Sequence, residues 1–284
     1  MSVLDPKNVG DSVRFSLDAC TVAGADLADS YRHADPFPNI VLDDFLPLNL
    51  CRRVVNEFPS RIDGRHSDKH SQLKTGYELE QIESAFTTNL LWAFNSAEFL
   101  QFLESMTGIE GLMGDPYFDG GGLHETSRGG HLSIHADFNV HRRLVLHRRI
   151  NLILFLNDDW HDDYGGSLEL WTRDMKEMHT QVSPVIGRAV IFNTDDSSYH
   201  GHPDPLTCPD SRYRRSLALY YYTSPESDIL ETRRTTQFKR RPRSEDSYAI
   251  GTALRELWVD VCPPILRRPI AKLVGRSGDT RKTG

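Results

Sequence analysis

His135-Ala136-Asp137 sets an imidazole and a carboxylate two residues apart. Further along the chain come His200 and His202, then Arg214 and Ser216, again two residues apart. Two imidazoles and one carboxylate can occupy one face of an Fe(II) ion and leave the opposite face open to small ligands such as O2. A planar guanidinium holds a carboxylate through paired hydrogen bonds, and a hydroxyl two residues on can add a third. Together these residue types imply metal-dependent oxidation with a dicarboxylic cosubstrate.

His-x-Asp alone is weak evidence, because the chain contains five such triplets: His33/Asp35, His66/Asp68, His135/Asp137, His161/Asp163 and His202/Asp204. Their surroundings separate them. Residues two apart on a strand point to the same face, and His135 and Asp137 lie at the end of a β-like run, His131–Phe138. His33/Asp35 abuts Pro36 at a helix end. His66/Asp68 falls in a polar stretch, His161/Asp163 in a run of acidic residues, and His202/Asp204 is broken by Pro203, which predicts loop. The remaining imidazole must come from a distant strand. His179, His200 and His202 are candidates. His200 is favoured because it follows the strong strand Ala189–Phe192 and precedes the last long one, and His202 remains as the alternative. His131, His141, His147, His161 and His179 read as hydrogen-bonded structural residues.

The elements that would position these groups follow from periodicity. Residues 1–35 read as an irregular or short helical lead-in. A strand is expected through Ile40-Val41-Leu42. Pro47 suits the first turn of a helix carrying Leu50, Val54, Val55 and Phe58, which Pro59 ends. Residues 60–80 are polar and read as loop. A second helix is expected near 81–94. Ser96 is a good N-cap for a third, with Phe99, Phe102, Leu103 and Met106 as its apolar stripe and Gly108 closing it. Beyond Gly108, short β-like runs alternate with turn residues: 131–138, 150–156, 166–171, 179–183, 189–192 and 217–223. Six such runs predict a sandwich or jelly roll. Arg214 to Tyr222 reads as one strand, on which Arg214, Ser216, Ala218 and Tyr220 share one face. Past Pro225 one amphipathic helix is expected near 246–261, and the last ten residues read as disordered.

The expected organisation is therefore a lead-in at 1–35, a domain at 36–224 with helices at 47–107 and a jelly-roll core from about 115 to 224, and a basic extension at 225–284. That extension carries 13 Lys/Arg against 8 Asp/Glu, a balance of +5, while the whole chain is at −7. The acidic balance argues against general nucleic-acid binding. Cys20, Cys51, Cys208 and Cys262 are scattered, with no C-x-x-C pair, so neither a disulfide framework nor a thiolate metal site is expected. Met1–Arg14 has no apolar core of a secretory signal, and no apolar run reaches the ~20 residues of a membrane span. These readings predict a cytoplasmic protein. They say nothing of oligomeric state.

Several motifs in order resemble one family. They are Pro36–Pro47, the His135/Asp137 pair, Arg149–Asn157 with Trp160, Gly165–Leu170, Pro184 with Gly187–Phe192, His200-Gly201-His202-Pro203 and Arg214-x-Ser216. Over roughly residues 36–223 the chain resembles the Fe(II)/2-oxoglutarate-dependent dioxygenases, in their prolyl 4-hydroxylase-like branch. The resemblance implies a mainly β fold with supporting α, whose core is a double-stranded β-helix, a cupin-like jelly roll, preceded by N-terminal helices. It implies His135, Asp137 and His200 as Fe(II) ligands and Arg214 as the residue for 2-oxoglutarate, with ascorbate as reductant. O2 and a small-molecule or peptidyl substrate would be the partners. Retention of a carboxylate at Asp137 favours hydroxylation over halogenation. One departure stands out. Where relatives often carry a tyrosine that helps hold 2-oxoglutarate, this chain has Phe155, and Asn151, on the same inward face, is expected to compensate. Arg142, Trp171 and His202 are candidates for the mouth. A metalloenzyme that does not use 2-oxoglutarate, and a non-catalytic binding module, are the competing readings.

Overall fold

The computed structural model describes residues 2–60, 70–225, 232–244 and 246. Strands β1 (Lys7–Val9) and β2 (Ser12–Arg14) form a small hairpin, and α1 (Leu17–Arg32) follows. Next come β3 (Asn39–Leu42), α2 (Leu48–Asn56), β4 (Ser71–Tyr77), α3 (Ala85–Ala93) and α4 (Ala97–Thr107). The remaining strands are β5 (Met113–Gly114), β6 (Gly122–Ala136), β7 (His147–Phe155), β8 (Leu168–Trp171), β9 (Met178–Val182), β10 (Ala189–Asn193), β11 (His200–His202), β12 (Arg214–Thr223) and β13 (Gln237–Phe238). The order β3-β10-β7-β12-β6-β11-β8-β9 makes one antiparallel sheet of eleven strands. β4 and β13 also join β6, and β5 joins β12. The sheet rolls into a nearly closed, jelly-roll-like barrel with four helices, the double-stranded β-helix architecture. Met1–Pro242 forms one compact unit; the expected helix at 246–261 and the chain end lie outside the described residues.

Strand alternation divides the molecule into an apolar outside and a polar inside. On β7, Ile150, Leu152 and Leu154 pack against the helices, as do Leu217, Leu219 and Tyr221 of β12 and Ala189 and Ile191 of β10. The intervening residues Asn151, Ile153, Arg214, Ser216, Ala218 and Tyr220 line an internal cavity. Around the sheet's outer face sit Phe86, Leu90, Phe94, Phe99, Phe102 and Met106, all fully buried. Ser96 caps α4 by accepting from the Phe99 amide, and Gly108 closes it in the left-handed conformation at φ 74°.

The structure corrects three expectations. Within residues 1–35 lies a full helix of 16 residues, α1, packed along α4. Its mean hydropathy is close to neutral, so the apolar stripe is faint in sequence. Within the stretch 60–80, expected as loop, residues 71–77 form β4, which pairs with β6. The sequence Ser71-Gln72-Leu73-Lys74-Thr75-Gly76-Tyr77 has little apolar alternation because one face of it lies over a polar cavity. His202, expected in a loop, ends β11 opposite Leu132 and is buried.

Gly24 is where α1 crosses α4. A Cβ there would collide with the carbonyl oxygen of Phe102 and lie 2.9 Å from the Ser105 Cβ. Helix propensity alone predicts that Gly24→Ala stabilises by about 1 kcal/mol. Overlap with rigid backbone costs about 1–3 kcal/mol and wins. Gly24→Ala should therefore lower the Tm in a thermal melt; a raised Tm would show that the crossing is looser than described.

Candidate metal centre and its cavity

Three ligand-type side chains converge at one end of the cavity. His135 is the penultimate residue of β6, Asp137 comes just after the strand, and His200 opens β11 directly opposite His135 in the β6–β11 ladder. Their candidate ligand atoms all lie within 4.8 Å of one another. The His135 Nε2 is 3.5 Å from Asp137 Oδ1, and the His200 Nε2 is 3.5 Å from Asp137 Oδ2. Each Nδ1 faces a carbonyl oxygen, that of Ser133 at 2.8 Å for His135 and that of Ser198 at 3.0 Å for His200. A nitrogen facing a carbonyl must donate, so the proton sits on Nδ1 and the Nε2 lone pair is free for a metal. Burial, then the neighbouring His135, brings His200 down to about 4, which keeps it neutral. The donor set and its tautomers fit a divalent transition metal.

Asp137 is held as a carboxylate by a network inside the barrel. Burial by itself would raise its pKa, but Arg148, helped by His135 and His200, holds it well below the usual carboxylate range. Arg148 contacts Asp137 Oδ2 at 3.0 Å, and Asn151 donates to the same oxygen at 2.7 Å. Arg148 in turn donates to Asn151 Oδ1 at 3.0 and 2.7 Å. Its guanidinium lies over the rings of Tyr220, at 3.6 Å, and Phe138, at 4.6 Å. Oδ1 of Asp137 is left as the freer donor. Asn151 therefore reaches the metal-facing carboxylate rather than standing alone on the cavity wall.

The opposite corner of the cavity is cationic. Arg214, on β12, is buried and donates from Nε to the Gly166 carbonyl at 2.5 Å. Its guanidinium lies 5.0 Å from the centre of the Phe155 ring. No carboxylate pairs with it among the described residues, and burial lowers it to about 9. Gly166, at φ 75°, makes room for it: a Cβ there would meet Leu206 Cδ2 at 2.6 Å and Arg214 Cδ at 2.8 Å. Ser216 lies two residues on and faces the same space. The cavity measures about 390 Å³ and is also lined by Lys74, His124, His202, Thr236 and Phe238. That volume is in the range of small-molecule sites.

Of the other candidates, His202 lines the cavity with both ring nitrogens unpartnered. It stands outside the group formed by His135, Asp137 and His200. His179 is exposed on β9. Arg142 pairs with Asp119 on the wall of an adjoining groove, and Trp171 packs with Ile134, Ala136 and Tyr199 while donating to Glu169. Sequence reasoning missed Arg148 because of a register shift between β7 and β12 at Tyr221/Tyr222. An extra residue on β7 reverses its alternation there, so even-numbered Arg148 faces inward beside odd-numbered Asn151. Lys74 was missed with the rest of β4.

With this geometry in view, residues 121–222 match the family model of the 2OG-Fe(II) oxygenase superfamily. That span runs from the start of β6 to the end of β12 and holds His135, Asp137, His200 and Arg214. A search of curated proteins finds no match. Among solved structures, the chain is similar to a prolyl hydroxylase from Trichoplax adhaerens, determined in complex with a hypoxia inducible factor oxygen degradation domain peptide fragment. The two are 14% identical with a TM-score of 0.52, over 72% of this chain and 91% of that one. It is also similar to a prolyl-4-hydroxylase from Pseudomonas putida, at 20% identity and TM-score 0.45, over 70% of this chain and 98% of that one. Over residues 121–222 the chain resembles the 2OG-Fe(II) oxygenase superfamily, and its likeness to the Trichoplax prolyl hydroxylase is one of fold.

Replacing Arg148 by Met would leave Asp137 buried without its main counter-charge. The carboxylate pKa would rise and the affinity for Mn(II) or Fe(II) should fall about 10–100-fold. A metal titration of the purified variant reads this directly; unchanged affinity would mean that Arg148 only packs.

Proposed function

We propose that this protein is a non-haem iron dioxygenase that couples oxidative decarboxylation of 2-oxoglutarate to hydroxylation of a second substrate. The observation that carries the reading is the pairing, in one cavity, of the His135/Asp137/His200 donor set with the carboxylate-free cation Arg214. When bound, Fe(II) and 2-oxoglutarate supply the oxidising chemistry, in which O2, 2-oxoglutarate and a substrate C–H become succinate, CO2 and C–OH. The chain's own residues prepare the site for this. His135, Asp137 and His200 would hold the metal through Nε2, a carboxylate oxygen and Nε2, leaving its other positions facing the cavity. Arg148 and Asn151 keep Asp137 ionised and oriented. Arg214, with Ser216, would take the distal carboxylate of 2-oxoglutarate in a buried setting where a charge-assisted pair is strong. Ile153, Ala218 and Phe155 give that end apolar walls that keep water out.

The second substrate would enter through the groove of about 530 Å³ that shares Lys74, Gly120 and His124 with the cavity and is also lined by Tyr117, Arg142 and Arg143. A peptidyl proline or a small metabolite fits this scheme. Ascorbate would serve as reductant for uncoupled cycles. No helix among the described residues is long and apolar enough to cross a membrane.

The test is succinate formation. Purified protein with Fe(II), ascorbate and O2 should convert 2-oxoglutarate to succinate slowly without substrate and faster with one. His135→Ala and Asp137→Ala should abolish this, and Arg214→Ala should chiefly raise the 2-oxoglutarate concentration required. Wild-type turnover in either metal-site variant would refute the reading. Loss of metal in His202→Ala with retention in His200→Ala would move the third ligand to His202.

A further inference from the structure

Lys74, half-buried, is a second cation lining the cavity that the metal site leaves unused. It lies on β4, outside the segment that matches the family model. In the sheet, Lys74 is opposite Thr126 of β6, and Thr126 is opposite Arg214 of β12. Residues directly opposite in adjacent strands point to the same face. The row Lys74–Thr126–Arg214 therefore sends both cationic side chains into the cavity, with their backbones roughly 10 Å apart across one intervening strand. The next inward row reads Gly76–His124–Ser216–Phe155. Gly76 adds no side chain, so the space beside Lys74 stays open.

No carboxylate pairs with Lys74 among the described residues, nor any with Arg214. Burial, then the Arg214 charge, lowers Lys74 to about 8, with Asp137 opposing the shift. His202, on β11, adds a buried imidazole with both nitrogens unpartnered, and it feels the charges of both Arg214 and Lys74. Like charges that face one cavity repel, and an anion between them relieves the repulsion. The acid nearest to hand, Asp137, is committed to Arg148 and the metal-type donors. Among the described residues no other acid reaches this corner, which leaves it suited to an anion brought by a ligand. At the same corner the Phe155 ring lies 5.0 Å from the Arg214 guanidinium and offers no hydrogen-bond donor.

We propose that Lys74 joins Arg214 and Ser216 in holding one carboxylate, the distal C5 carboxylate of 2-oxoglutarate, as a further donor beside the Phe155 ring, which has none. This rests on the reading of the cavity as a 2-oxoglutarate site. Lys74 is a binding residue for the cosubstrate, and it links recognition of the cosubstrate to β4, a strand on the groove side of the cavity.

The test compares two keto acids that chelate metal in the same way. 2-Oxoglutarate carries the distal carboxylate, and 2-oxopentanoate ends in a methyl group. Each is titrated calorimetrically into the full-length protein loaded with Mn(II), which prevents turnover. Lys74→Met should raise the Kd for 2-oxoglutarate about tenfold and leave that for 2-oxopentanoate within twofold. Lys74→Arg should restore most of the loss. Equal weakening of both acids would assign Lys74 a merely structural role, and no weakening of either would free it for an anion on the second substrate; each outcome overturns the proposal. Unchanged Mn(II) affinity in Lys74→Met checks that the fold survives. A wild-type protein that binds Mn(II) but neither keto acid would instead remove the cosubstrate reading itself, and the clamp with it.

Discussion

Everything in this molecule depends on the two-residue alternation of β7 and β12, the paired strands at the centre of the sheet. One set of their side chains, Ile150, Leu152, Leu154, Leu217, Leu219 and Tyr221, must be apolar to seat the helices. The other set is thereby aimed into the barrel, and it is polar: Asn151, Arg214, Ser216 and Tyr220. Slipping β12 by one residue would drive Arg214 into the phenylalanine-rich helical core and turn Leu217 to the cavity. The burial that stabilises the fold also fixes the chemistry, because no register satisfies one without the other.

Burying so many charges is expensive unless each has a partner. The cavity resolves this by segregation. At one end Asp137 is surrounded by Arg148, Asn151 and the imidazoles of His135 and His200, an arrangement that offers a metal one carboxylate oxygen and two lone pairs. At the other end no acid among the described residues pairs with Arg214 or Lys74, and burial lowers them to about 9 and about 8. A dianion with one end chelating and the other end carboxylate matches that division. The cavity is thus an unbalanced charge distribution completed by its ligands, and an apolar occupant would leave both ends unsatisfied.

Much of this was legible in the sequence where local chemistry and tertiary context agree. Ser96, the stripe from Phe99 to Met106, and Gly108 mark α4 because cap, period and stop signal coincide. The inward face of β12 was legible because the strand alternates without interruption. Arg148 was hidden by the irregular register of β7, which inverts the pattern that strand reading relies on. β4 was hidden because a strand that covers a polar cavity carries Lys and Gly where a core strand carries Val or Ile. β11 was hidden by its length of three residues and by Pro203 at its end. The motif residues themselves stood out by type and order, while the groups that orient them are set by register.

The central claim is that one metal and one dicarboxylate complete this cavity together. An anaerobic crystal structure of the protein with Fe(II) and 2-oxoglutarate tests it most directly. The account predicts metal bonded to His135 Nε2, Asp137 and His200 Nε2, with the far carboxylate of 2-oxoglutarate against Arg214. Metal held elsewhere, or a dicarboxylate lying away from Arg214 with the metal in place, would contradict it.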